Sequence, residues 1–270
     1  FIDSLQQNGA LDFPLQIWAQ AEDAELDHFI EQGIYETDLL TVRGFKVYCD
    51  GALGSRGAYL KDPYHDRHDW RGLLVTDSAR LFEVAKRIAD SDFQMNTHAI
   101  GDSGNALVLS AYASVLETDN DRRWRIEHAQ VVTPSDYPMF EAFNVVPSVQ
   151  PTHATSDMYW AEDRLGPERI GYAYAYNDLL NLLGWIPLGT DFPVEDIDPK
   201  WTFYAAVFRQ DVEGFPESGF NPENRLSRRE ALLGMTLWAA KSGFWEDSRG
   251  SLEAGKRAAF VVPGVDWMTA

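Results

Sequence analysis

Two histidines, one aspartate and one lysine stand in or at the ends of short apolar runs, and these side chains could together support metal chemistry. His98 closes Met95-Asn96-Thr97-His98, His128 closes Arg125-Ile126-Glu127-His128, and Asp191 closes Leu188-Gly189-Thr190-Asp191. Lys46 lies inside Phe45-Lys46-Val47-Tyr48-Cys49-Asp50-Gly51. A single histidine at a strand end is ordinarily a hydrogen-bonded structural residue. Four polar residues at equivalent positions point instead to a shared site. Imidazole and carboxylate donors suit a borderline divalent ion, Zn2+ first, with Fe or Mn as alternatives and one or two ions as the expected number. Such an ion lowers the pKa of a bound water toward ~7, and a nearby carboxylate can take and return its proton. Asp191 is the residue expected in that catalytic role.

Lys46 has two readings. Neighbours on a strand face opposite ways, so Lys46 points away from a helix layer if Phe45 and Val47 pack against one. A buried, unpaired ammonium is very costly, so the side chain must be paired, deprotonated or modified. Pairing with Asp50 is the ordinary solution. A carbamate on Nζ would instead make it an anionic oxygen ligand able to bridge two metals, and the residues alone leave both open.

The elements that must position these groups alternate. Candidate strands are Leu15 to Ala19, Gly44 to Cys49, Gln94 to Thr97, Arg123 to Ile126, Val145 to Val149 and Ile186 to Leu188. Between them, Ser78 to Ser91, Gly104 to Glu117, Pro134 to Phe143 and Tyr174 to Leu183 carry helical apolar spacing. Ser78 is the expected N-cap of the first of these, and Ser227 with Glu230 reads as a capping box opening a helix to about Lys241. This succession predicts α/β architecture with a mainly parallel sheet, in which active sites gather at the C-terminal ends of the strands.

Composition narrows the partners. The chain has 270 residues, 45% of them apolar, enough for a sizeable core. Its net charge of −19 argues against nucleic acid or an anionic membrane as partner and leaves a small-molecule substrate. A homodimer is compatible with this composition. A lone cysteine, Cys49, and the lack of any apolar run of about 18 residues lead to the expectation of a cytoplasmic protein.

At these residues the sequence resembles the amidohydrolase superfamily, most closely its YtcJ-like branch of metal-dependent hydrolases, which includes N-substituted formamide deformylase. The matching stretches are Lys46-Val-Tyr-Cys-Asp-Gly-Ala-Leu-Gly-Ser-Arg-Gly-Ala58, Asn96-Thr-His-Ala-Ile-Gly-Asp102, Arg125-Ile-Glu-His-Ala-Gln130, Pro147-Ser-Val-Gln-Pro-Thr-His153 and Gly189-Thr-Asp-Phe-Pro-Val194. The resemblance implies a (β/α)8 TIM barrel and hydrolysis of a C–N bond in an amide, formamide or cyclic amide. It implies Lys46 as a carboxylated fourth-strand ligand, His98 and His128 as fifth- and sixth-strand ligands, and Asp191 as eighth-strand ligand and proton shuttle. Loop residues Asp50, Ser55, Arg56 and Asp102, with His153 after the seventh strand, are the candidate substrate contacts, but Arg56 could equally pair with Asp50 or Asp102 to hold the loops, and His153 could equally orient a metal ligand.

Two departures accompany the resemblance. The family's first-strand His-x-His is absent, and His65-Asp66-Arg67-His68 reads as a loop. On this register Leu15 to Ala19 is the third strand, so residues 1–249 are expected to be an incomplete barrel, about strands 3 to 8. Such a fragment by itself would lack part of the site, and the alternative is a degenerate barrel serving as a binding or regulatory protein. Residues 250–270 are expected to begin a small β-sandwich, with a strand at Ala258 to Val262, although Ala258-Ala259-Phe260 replaces the family's usual Ala-Asp-Phe.

Overall fold

The pleat of three neighbouring strands separates an apolar face from a polar one. A computed structural model describes residues 1–269 and places β1 at Leu15–Gln20, β2 at Tyr35–Glu36, β3 at Leu40–Tyr48, β4 at Gln94–Ala99, β5 at Arg125–His128 and β6 at Val146–Ser148. The order is β1-β3-β4-β5-β6 with every neighbouring pair parallel, and β2 adds a short antiparallel contact to β3. Helices Asp23–Gln32, Ser78–Ala89, Asp102–Ala113 and Tyr137–Ala142 lie in the four crossovers. The α/β reading with a parallel sheet therefore holds.

The outer face packs on those helices. Phe45 and Val47 are buried in the core with Met95 and Ile126, and the Phe45 ring lies 5.0 Å from that of Phe93. Helix Ser78–Ala89 meets this layer through Leu81, Val84, Ala85 and Ile88, a three-four spacing that forms one apolar stripe. Its N-cap is Asp77, one residue before the expected Ser78, because the Asp77 carboxylate accepts the Arg80 backbone N–H at 3.0 Å. The Ser227–Glu230 capping box forms as expected. Its helix, Arg228–Met235, breaks at Thr236 before a second helix, Leu237–Ser242.

The inner face is polar. Cross-strand partners bring Lys46, Asn96 and Arg125 into one row and Tyr48, His98 and Glu127 into the next. At the lower row, Arg125 donates from Nε to Asn96 Oδ1 at 2.8 Å and from Nη1 to Ser242 Oγ at 2.9 Å. It also meets Glu127 at 3.1 Å and stacks over Trp18 at 4.2 Å. Gln94 donates to the Ser242 carbonyl at 2.9 Å, so helix Leu237–Ser242 is tied across the lower end of the sheet.

Two expected strands are absent. Ile186 to Leu188 contributes a single parallel bridge, Val149 to Leu188, made by the Val149 N–H to the Pro187 carbonyl and the Gly189 N–H to the Val149 carbonyl, while the Leu188 N–H, on the opposite edge, bonds the Gly234 carbonyl. That bridge extends the strand order by one position beyond β6, and among the described residues no ladder joins it back to β1. Ala258 to Val262 forms no strand, and Val261 and Val262 are exposed. Ala270, the end of the expected second segment, lies outside the described residues.

Phe45 backs the strand that carries Lys46, so its packing should be felt as stability. Phe45→Ala is expected to cost roughly 3–5 kcal/mol in urea unfolding. A loss below about 1 kcal/mol would show that this layer can collapse around the cavity.

Candidate metal centre

Strand alternation alone would send His128 to the helix side with Trp124 and Ile126. The backbone prevents this: His128 has φ 78° and Ala129 φ 41°, so the chain turns through the left-handed region as it leaves β5. The ring consequently joins His98, with centroids 4.5 Å apart, and stacks near His153 at 5.6 Å. Asp191 also has a left-handed backbone, φ 57°, and its carboxylate lies 3.7 Å from His153 Nε2. Such backbone strain in bulky residues tends to cluster at functional sites.

His128, His153 and Asp191 each offer a ligand atom within 4.8 Å of the other two. Among the described residues, His98 Nε2 and His153 Nε2 are buried with no hydrogen-bond partner. Burial pushes His98 down to about 4, aided by Lys46, and pushes His153 down to about 4. Burial, with the neighbouring His98, His153 and Lys46, holds His128 well below the usual histidine range. All three rings are therefore neutral near pH 7, with lone pairs available. Partnerless buried nitrogens beside a carboxylate are a donor set that fits a divalent cation.

Lys46 faces this cluster, as the alternation requires. Burial lowers its pKa, while Glu127 and then Asp191 act in the opposite sense. Its Nζ lies 4.9 Å from the centre of the Tyr48 ring. Asp191 is raised by burial and by Glu127, with Lys46 opposing. Glu195 stands behind His153, with Oε1 3.9 Å from His153 Nε2, and accepts a hydrogen bond from Ser156 Oγ at 2.7 Å.

The other sequence candidates fall elsewhere. The Asp50 carboxylate is buried and accepts the N–H groups of Tyr59, Ile100 and Gly101 at 2.8–2.9 Å. It thereby pins the loop after β3 to the end of β4, with His98 Nε2 3.6 Å away. Burial moves its pKa up to about 7 against those three donors. Gly104 leaves room for it, since an added Cβ would sit 2.6 Å from Asp50 Oδ2. Ser55 bonds the Ala52 carbonyl, Arg56 forms a two-pronged pair with Asp66, and Asp102 accepts the N–H groups of Lys61 and Ser103. These four hold loops, and of the five substrate candidates only His153 is in the cluster. His65 and His68 are exposed loop residues, as expected.

Glu127, Gln150 and Glu195 were not singled out by sequence. Glu127 and Gln150 lie inside the quoted stretches around His128 and His153, which was the available signal. Glu195 carries no local pattern, since only the fold of the loop after Asp191 brings it to His153.

The amidohydrolase family matches residues 5–270. Protein LONG AFTER FAR-RED 3 of Arabidopsis thaliana is similar at 35% identity over 253 residues, 93% of this chain and 42% of that protein. YtcJ of Bacillus subtilis (strain 168) is similar at 31% identity over 217 residues, 80% of this chain and 41% of that protein. The crystal structure of an uncharacterized metal-dependent hydrolase from Pyrococcus furiosus matches with TM-score 0.86 at 31% identity, over 99% of this chain and 54% of that one. The chain thus spans about two fifths of the length of the curated relatives it matches.

The loop-holding role of Asp50 separates it from Arg56. Asp50→Ala orphans three buried N–H groups and should cost about 3 kcal/mol or more. Arg56→Ala removes a partly exposed surface pair and should cost less than about 1 kcal/mol. Urea midpoints of the two variants, measured side by side, check the ordering, and equal losses would contradict it.

Proposed function

The chain belongs to the amidohydrolase family, and from that premise we propose that it carries the metal-holding face of a hydrolase acting on C–N bonds of amides, formamides or cyclic amides. The observation that carries the reading is the convergence of His128, His153 and Asp191 within 4.8 Å, each at or beyond the C-terminal end of a parallel strand or bridge. We read the sheet, with the Leu188 bridge as its next position, as part of a (β/α)8 barrel. Clustering at the C-terminal ends of parallel strands is the placement such barrels use for catalysis.

His128, His153 and Asp191 would hold the ion, with His98 beside them, and two imidazoles with a carboxylate suit Zn2+ better than a hard ion. When bound, a divalent ion makes water a nucleophile near neutral pH and polarises a carbonyl oxygen. The protein's own part is proton handling. Asp191, with 39% of its side chain exposed, is open to substrate and has a raised pKa. It accepts a proton from the attacking water and returns it to the leaving nitrogen as the C–N bond breaks, so no proton is lost overall. Lys46 completes the ligand set as a carbamate. Its lowered pKa increases the share of free amine, which would add CO2 through a new N–C bond and release one proton to solvent, giving an anionic oxygen donor in place of a buried cation.

The test is metal content after purification without chelator. Roughly one zinc per chain is expected, lost in His128→Ala and Asp191→Ala and retained in His65→Ala. Uptake that survives both site substitutions would overturn the assignment. With N-formyl and N-acyl amines as probes, Asp191→Asn should fold normally and lose hydrolysis, and an unchanged rate would remove Asp191 from the proton path.

A further inference from the structure

One residue outside the ligand set bonds two members of the cluster, His128 through its side chain and His153 through its backbone carbonyl. Gln150, buried at the end of β6, places Oε1 2.8 Å from His128 Nδ1. Its amide orientation is fixed by the other end, because Nε2 donates to the Ser148 carbonyl at 3.3 Å. Reversing the amide would set an N–H against His128 and an oxygen against a carbonyl oxygen. With Oε1 toward the ring, Nδ1 must be the protonated nitrogen, since a carboxamide oxygen only accepts. The lone pair of neutral His128 is then left on Nε2. The backbone of the same residue serves the second ligand: the Gln150 carbonyl accepts the His153 N–H at 3.0 Å and the Tyr176 hydroxyl at 3.0 Å. Gln150 is thus the N-cap of helix Pro151–Asp157, whose first turn carries His153.

We infer that Gln150 is a positioning residue that sets His128 in the Nδ1–H tautomer, so that its Nε2 is available as a donor to a divalent cation. The inference rests on the metal reading above and names what holds that site in a binding-ready state before an ion arrives. Outer partners of this kind fix ring orientation and tautomer, and their loss weakens metal binding by roughly 10- to 100-fold. A merely space-filling residue would leave the tautomer unchanged.

The experiment is long-range 1H–15N correlation on metal-free protein labelled at histidine, with His128 assigned by its disappearance in His128→Ala. The wild type is expected to show a protonated Nδ1 and an unprotonated Nε2 at His128. Gln150→Leu, which keeps the side-chain size and the backbone carbonyl, should shift the ring toward the other tautomer and weaken zinc binding by roughly 10- to 100-fold. Gln150→Glu keeps an acceptor oxygen toward Nδ1 and, when protonated, an O–H that can donate to the Ser148 carbonyl as the amide does, so Nδ1–H should persist there, which guards against reading a folding defect as a tautomer effect. A Gln150→Leu spectrum that retains Nδ1–H overturns the inference. If the tautomer shifts as expected but the wild type takes up no zinc, the metal reading fails while the control of His128 by Gln150 stands.

Discussion

The register that pairs Lys46 with Asn96 and Arg125, and Tyr48 with His98 and Glu127, decides which side chains share the inner face. A one-residue slip would turn that whole set toward the helices, so the apolar packing of Phe45, Val47 and Met95 on the outside is what fixes the polar set inside. Site and core are thus two faces of one constraint. The lower row, built on Arg125 with Asn96 and Trp18, closes the face, and Arg125 pairs upward with Glu127, although Arg125 Nη2, Glu127 Oε1 and Trp18 Nε1 are buried with no hydrogen-bond partner. The upper row opens onto the cluster. Asp50 adds the vertical restraint, holding three backbone N–H groups so that the end of β4 and the loop after β3 move as one.

Burial does the electrostatic work. It keeps His98, His128 and His153 neutral, lowers Lys46 and raises Asp191, so each group is shifted toward its uncharged form. Neutral imidazoles are the ligand form, and a raised carboxylate is the proton-carrying form. The orphaned Nε2 atoms of His98 and His153 are costly in a folded chain and are accounted for if a cation completes them.

Much of this was readable from residue types at strand ends. His98, His128 and Asp191 stand out because apolar runs lead into them, and Lys46 because a cation inside such a run has no cheap place to go. Strand alternation predicted the direction of Lys46 correctly. It would have failed for His128, whose inward turn depends on a left-handed backbone that no local sequence pattern announces. Asp50 and Arg56 look like substrate ligands in sequence because loop position does not reveal a partner: the three N–H groups bound by Asp50 come from two other segments, and Asp66 lies ten residues beyond Arg56. His153 joined the cluster through the turn at Gln150, again a tertiary effect. The Ile186 to Leu188 run pairs with the β6 side only at Leu188, a matter of tertiary pairing that periodicity cannot anticipate.

The most direct test of the account is anomalous diffraction at the zinc edge from crystals equilibrated with zinc. The account predicts a single strong peak bounded by His128, His153 and Asp191, on the inner face above Arg125. A peak confined to the exposed His65–His68 loop, or no peak at the cluster in crystals that hold zinc elsewhere, would contradict it.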